Sequence, residues 1–148
     1  MWGSEFLHVT EAGWRRVARL RPFRLPGGEA AVREPRRAAL GLLQEVMGDA
    51  CFERRDLAPV AAFGAGELKV LRTMLARGVN APVTSSAGRL FDGVVALCGL
   101  CQFSNYEGQA AAGLEAVATR QPDGEAYPFP LRQGEDGATC LEVDWRPA

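Results

Sequence analysis

Pro35-Arg36-Arg37-Ala38-Ala39-Leu40-Gly41-Leu42-Leu43-Gln44-Glu45-Val46-Met47-Gly48 is the stretch on which the fold turns. Pro35 stands where a first helical position would be, since a helix needs no N–H there, and Glu34 suits the positive end of the helix dipole. Ala39, Leu42, Leu43, Val46 and Met47 recur at helical spacing, and Gly48 can end the element. Before this stretch the pattern differs. Phe6, Leu7 and Val9 precede Thr10-Glu11-Ala12-Gly13, after which Trp14, Val17 and Leu20 alternate with Arg15, Arg16 and Arg19. This spacing predicts two strands joined by a short loop. Arg21-Pro22-Phe23-Arg24-Leu25-Pro26-Gly27-Gly28 reads as an extended loop, because two prolines and two glycines oppose a helix.

Beyond Gly48 the helical spacing continues. Asp56 can cap a short helix carrying Leu57, Val60 and Ala61. A further helix fits Gly66 to Arg77, with Leu68, Leu71, Met74 and Leu75 buried and Gly78 at its end. Asn80 to Ser86 is a linker. From Gly88 to Cys101 nearly every position except Arg89, Asp92, Gly93 and Gly99 is apolar, the mark of a helix buried on several sides. Glu107 to Thr119 predicts another helix with Ala110, Ala111, Leu114, Val117 and Ala118 inward. Gln121-Pro122-Asp123-Gly124 breaks it. Tyr127 to Leu131, interrupted by prolines, is at best an edge strand. Gly134 to Gly137 is a turn, and Thr139 to Asp144 is the last strand. The expected class is α+β in one unit spanning residues 1–148: an N-terminal strand pair, a helical middle and a C-terminal strand. Both ends read as cuts through something larger.

The composition is that of an ordinary globular domain: 148 residues, 47% hydrophobic, 24% charged and a formal charge of −1. No overall field favours nucleic acid or anionic lipid. Lys69 is the only lysine, an arginine bias that runs along the whole chain. No run approaches the ~20 apolar residues of a membrane span. The start has no basic, apolar leader, so a cytoplasmic location with reduced thiols is expected for Cys51, Cys98, Cys101 and Cys140. Cys98-Gly99-Leu100-Cys101 has zinc-like spacing but lacks a second ligand pair, so core thiols are the expectation.

Several blocks, in order, carry a resemblance. Trp2-Gly3-Ser4-Glu5-Phe6, Arg21 to Gly28, Ala31 to Arg37, Thr84-Ser85-Ser86-Ala87-Gly88-Arg89-Leu90-Phe91-Asp92, Tyr106 to Ala111 and Leu114-Glu115 are similar to stretches of the HypF family. Its members are the carbamoyltransferases of [NiFe]-hydrogenase maturation. Ser4 stands where the family has a second glycine. The resemblance implies part of an actin-like ATPase-type carbamoyltransferase domain. In that family ATP and carbamoyl phosphate give carbamoyl-adenylate, and the carbamoyl group passes to the C-terminal cysteine of the partner HypE. The family's metal-binding histidine pair and its Asp-Gly-Thr-Gly phosphate loop lie before the Trp-Gly-Gly-Glu-Phe block. His8 is the only histidine here, so no metal is expected from this chain alone, and the chain is expected to be inactive by itself.

Individual residues carry two readings each. Asp92, a carboxylate on a greasy helix, needs a donor, solvent or a ligand. It either pairs with Arg89 or, as the resemblance implies, contacts the nucleotide ribose. Gly108 is a helix-start glycine or a turn that approaches the ligand. Glu115 faces solvent or lines the nucleoside pocket, and Glu107 belongs to the same block. Ser86 caps a helix or faces the cleft with Thr84 and Ser85. Arg89 binds phosphate or serves Asp92. Arg21, Arg24, Arg33, Arg36 and Arg37 cluster around the Pro/Gly loop, and arginines at a helix start call for an acidic partner, internal or external. The competing class for the whole chain is a non-catalytic folding or docking module derived from the same domain.

Overall fold

The computed structural model describes residues 3–106, 108–119, 126–134 and 140–147. The alternating start forms a hairpin: β1 (Glu5–Thr10) runs antiparallel to β2 (Gly13–Leu20). Val9 lies opposite Trp14 and Thr10 opposite Gly13, and the register shifts between Phe6 and Leu7. At the far end of the chain, β5 (Leu131–Gln133) is antiparallel to β6 (Leu141–Val143), and β6 lies parallel to β2. The four-stranded order is β1-β2-β6-β5, with β5 at an edge; the edge strand expected over Tyr127 to Leu131 meets it only at Leu131.

Two segments read as loops pair with each other. β3 (Phe23–Arg24) and β4 (Val83–Thr84) form a two-stranded sheet. The pairing continues as Leu25 N–H donates to the Pro82 carbonyl at 2.9 Å and Gly27 N–H to the Asn80 carbonyl at 2.8 Å. The helices are α1 (Ala30–Arg33), α2 (Pro35–Met47), α3 (Ala58–Ala61), α4 (Ala65–Arg77), α5 (Ala87–Leu97) and α6 (Gln109–Ala118), with a 3-10 turn over Gly48–Glu53. Mixed α+β architecture is therefore what the chain adopts. Pro35 opens α2 and Gly48 caps it; Gly78 closes α4 in the left-handed conformation.

Four expectations need correction. Asp56 does not cap α3; its carboxylate takes the Arg54 guanidinium at 2.6 Å, a charge-assisted contact that outcompetes capping. The helix expected to reach Cys101 stops at Leu97, because Gly99 turns left-handed and Leu100 N–H bonds back to the Val95 carbonyl. Cys98 is consequently exposed and Cys101 half-buried, so only Cys51 and Cys140 are core thiols. Val46 on α2 is exposed, as are Ala111, Val117 and Ala118 on α6. Glu107, the break expected at residues 121–124 and the turn expected at residues 135–137 lie outside the described residues.

One buried cluster gathers Leu40 and Leu43 of α2 with Phe52, Val60, Phe63, Leu68, Leu71 and Leu75. A second joins Phe23, Leu25, Ala31, Ala38 and Leu42 to Trp145. α2 serves both, one face each. α5 closes on α2 at Gly93, where a Cβ would stand 2.3 Å from Leu42 Cδ1 and 3.3 Å from the Ala39 nitrogen. Only hydrogen fits that crossing.

Candidate functional site

α5 begins where two separate blocks of the resemblance meet. Ser4 N–H donates to the Ser85 carbonyl at 2.9 Å, and Ser4 Oγ accepts the Ala87 N–H at 2.7 Å. Gly3 allows this approach, since a Cβ there would lie 2.0 Å from Ser85 Oγ. Ser86 is the N-cap, its Oγ accepting from Arg89 N–H at 3.4 Å, and Thr84 Oγ1 accepts from Ser86 N–H at 3.2 Å. Hydroxyls thus satisfy the donors that an exposed helix start would offer to an anion. Ser4, noticed in the sequence only as a departure from a glycine, supplies one of them.

Arg89 and Asp92 follow on the same helix at i and i+3, Nη1 to Oδ2 2.7 Å, both largely buried. The contact brings the charges together outside hydrogen-bond geometry, and neither atom has another hydrogen-bond partner. Burial pushes the Asp92 carboxyl above the usual carboxylate range, and Arg89 pulls it back only in part. The arginine reading of Asp92 is thereby realised, while its hydrogen-bonding capacity stays unused. Buried polar atoms in that condition are uncommon and ask for an explanation.

Gly108 is the N-cap of α6 with φ 81°, a left-handed conformation that a side chain would strain, and it is exposed. Glu115 is exposed on α6. α6 packs on α5, so the structure places Ser86, Arg89 and Asp92 along one helix and Gly108 and Glu115 on its neighbour. Five hollows in the described surface are lined by other residues.

Three members of the arginine cluster, Arg21, Arg36 and Arg37, are ion-paired within the chain. Arg36 is 6% exposed. Its guanidinium lies 4.0 Å from the Phe63 ring centre and 4.2 Å from that of Phe103. It also donates to Glu34 (2.7 Å), Glu67 (3.2 Å) and the Ala62 carbonyl. Glu34 holds Arg37 as well, at 3.0 Å. Arg21 meets Glu142 at 2.8 Å. The acidic partners that the helix start required are intrachain ones; Glu34 stood out in the sequence only for the helix dipole, and Glu142 was not singled out. Among the described residues no group of three or more His, Cys, Asp or Glu side chains is placed to hold a metal ion. His8 sits on β1, whose residues are all exposed.

The profile of the family described as carbamoyltransferase, Kae1-like domain, second subdomain, matches residues 1–148. The chain belongs to the HypF carbamoyltransferase family. Carbamoyltransferase HypF of Synechocystis is 39% identical over 99% of this chain and 20% of its own length. HypF of Rhodobacter capsulatus is 44% identical over 80% of this chain and 15% of its own. Among solved structures, full-length HypF in the phosphate- and nucleotide-bound form superposes with a TM-score of 0.79 at 29% identity. That match covers 97% of this chain and 17% of the other. The HypF of T. kodakarensis gives 0.66 at 28% identity, over 80% of this chain and 16% of its own. The chain thus spans about a fifth or less of the HypF proteins named here. No described helix is long and apolar enough to cross a membrane.

Proposed function

We propose that this chain forms the nucleoside-facing wall of a carbamoyltransferase that acts in the cytoplasm in [NiFe]-hydrogenase maturation. The complete enzyme makes carbamoyl-adenylate from carbamoyl phosphate and ATP and passes the carbamoyl group to the C-terminal cysteine of a HypE-type acceptor. The observation that carries this reading is the likeness over nearly the whole chain to HypF in a nucleotide-bound form. The buried, unspent acceptor of Asp92 adds to it.

Asp92 fits the nucleotide chemically. A ribose hydroxyl can donate to a buried carboxylate oxygen, and such a bond strengthens as water is excluded. Arg89 keeps that carboxylate from standing as a lone buried charge and leaves a donor for a phosphate or carbonyl oxygen. Gly108 lets the start of α6 come close to the ligand, and Ser86 fixes the entry of α5 so that Arg89 and Asp92 share a face. Glu115, one helix away, completes the nucleoside side. The metal of the family does not fit here: no described side-chain group can hold it, and no step is assigned to it. With neither the family's histidine pair nor its phosphate loop, the 148-residue chain alone should show no transfer to an acceptor thiol.

In the whole HypF polypeptide, Asp92→Ala should raise KM for ATP on the order of tenfold or more, the cost of one hydrogen bond to a charged group. The far-ultraviolet dichroism should not change. An unchanged KM removes Asp92 from the nucleotide site. Carbamoyl transfer by the 148-residue chain alone would overturn the assignment of these residues as one wall of a larger site.

A further inference from the structure

Burial does little to fix the path of the segment from Cys98 to Tyr106, which leads from α5 toward α6. Leu100, Phe103 and Tyr106 are 45%, 56% and 63% exposed. Gln102 Nε2 ties the segment back to its own helix, donating to the Ala96 carbonyl at 2.8 Å. Two contacts carry it across to the corner between α1 and α2. Ser104 N–H donates to the Arg33 carbonyl at 2.8 Å, and the Phe103 ring centre lies 4.2 Å from the Arg36 guanidinium. The same segment then sets the start of α6. Ser104 Oγ donates to the Tyr106 carbonyl at 2.7 Å, and Asn105 N–H donates to Gln109 Oε1 at 2.7 Å. Gln109 is the first residue of α6, next to the left-handed Gly108.

Arg36 is a fixed platform for this contact. Glu34 accepts from its Nε at 3.0 Å and its Nη2 at 2.7 Å, and Glu67 accepts from Nη2 at 3.2 Å. Phe63 lies 4.0 Å from the same guanidinium. A cation already held in this way loses little further freedom when a second ring lies against it. Its charge is answered by the two carboxylates without Phe103. The Phe103 contact therefore serves the segment that carries the ring. We propose that Arg36 is a positioning residue for the nucleotide site: through Phe103 it fixes the segment that sets Gly108 and the first turn of α6. This rests on the reading of Gly108 as ligand-facing. Arg36 itself is 6% exposed and acts on binding through its neighbour. A lysine would keep the charge and lose the planar face on which the ring lies.

The test uses the whole HypF polypeptide carrying this sequence. Phe103→Ala trims an exposed side chain, so the buried clusters stay intact. Without nucleotide, exchange of the Ser104, Asn105 and Ala112 amides should quicken on the order of fivefold or more, the worth of a cation–π contact, while the amides of α4 keep their rates. KM for ATP should rise on the order of fivefold with kcat unchanged, the mark of lost binding without lost chemistry. Phe103→Tyr keeps the ring and should restore both values. Arg36→Lys should behave as Phe103→Ala does. Unaltered exchange in Phe103→Ala overturns the inference whatever the role of Asp92. Faster exchange with an unchanged KM overturns it too, and Asp92→Ala in the same assay shows whether the nucleotide reading falls with it or stands.

Discussion

Asp144 keeps its charge because donors surround it. Its Oδ1 accepts Arg146 Nε at 2.9 Å and Arg146 N–H at 3.1 Å, and its Oδ2 meets Arg146 Nη2 and Arg132 Nε, both at 2.8 Å. Hydrogen bonds from Arg146 outweigh burial and hold the carboxyl down at about 2. A folded value below the unfolded one adds stability above the unfolded value, and that stability is lost as the pH falls through the folded one. Stability of about 2 kcal/mol should therefore disappear between about pH 4 and pH 2. Asp144→Asn should lack this part of the acid dependence when urea midpoints are compared from about pH 5 downward. Asp92 has the opposite sign. Burial raises its value with one off-line arginine in opposition, so its charged form costs stability at neutral pH. Asp92→Asn should raise the urea midpoint at neutral pH, with the gain shrinking as the pH falls toward the unfolded carboxyl value and gone by about pH 4.

Gly93 and Gly113 separate packing from propensity at the level of the helix. Both are helical glycines, but a Cβ at 93 meets Leu42 and the α2 backbone, whereas at 113 it meets nothing within 4 Å. Gly93→Ala should push α5 off α2 and cost about 1–3 kcal/mol. Gly113→Ala should gain about 0.5–1 kcal/mol through the unfolded chain. Thermal midpoints of the two variants, moving in opposite directions, check the pair. The same elements show what a sequence discloses. α2 was legible because Pro35, Gly48 and the 3.6-residue period agree, and α4 because Gly78 and the same period do. β3 and β4 were not, because two paired residues have no period. α6 was legible as a helix and misjudged in its packing: apolar spacing predicts a buried face but not whether the covering element lies within these residues. Ser86, Arg89 and Asp92 could be placed on one helix from the sequence, and Asp92 stood out as a charge in an apolar run. Gly108 and Glu115 were reached through the resemblance alone. Glu142 has no local mark, since Arg21 reaches it only in three dimensions, whereas Glu34 was legible as a helix-dipole acid but not as the partner of Arg36 and Arg37.

Trp145 ties the far end of the described chain to the start of the helical layer. Its sequence context, Trp145-Arg146-Pro147, gave no sign of burial, yet only 5% of it is exposed. Nε1–H donates to the Arg21 carbonyl at 2.7 Å. The ring meets Phe23 edge-on, 5.8 Å between centres and 83° between planes. That contact closes the second core cluster, which otherwise consists of residues 23–42. The β2–β6 pairing holds the strand that leads to it, and Arg21 N–H donates to the Val143 carbonyl at 2.9 Å. Trp145→Ala removes the largest member of that cluster and leaves the Arg21 carbonyl without its donor. The loss should be about 3–5 kcal/mol, comparable with the whole stability of many domains. Trp145→Phe keeps most of the volume and the edge-on contact but not the N–H. It should recover most of the loss and leave a deficit of about 1–2 kcal/mol. Urea midpoints of the two variants separate packing from hydrogen bonding. If Trp145→Ala leaves the midpoint where it was, the second cluster does not depend on Trp145, and the hairpin and helices are held together by α2 alone.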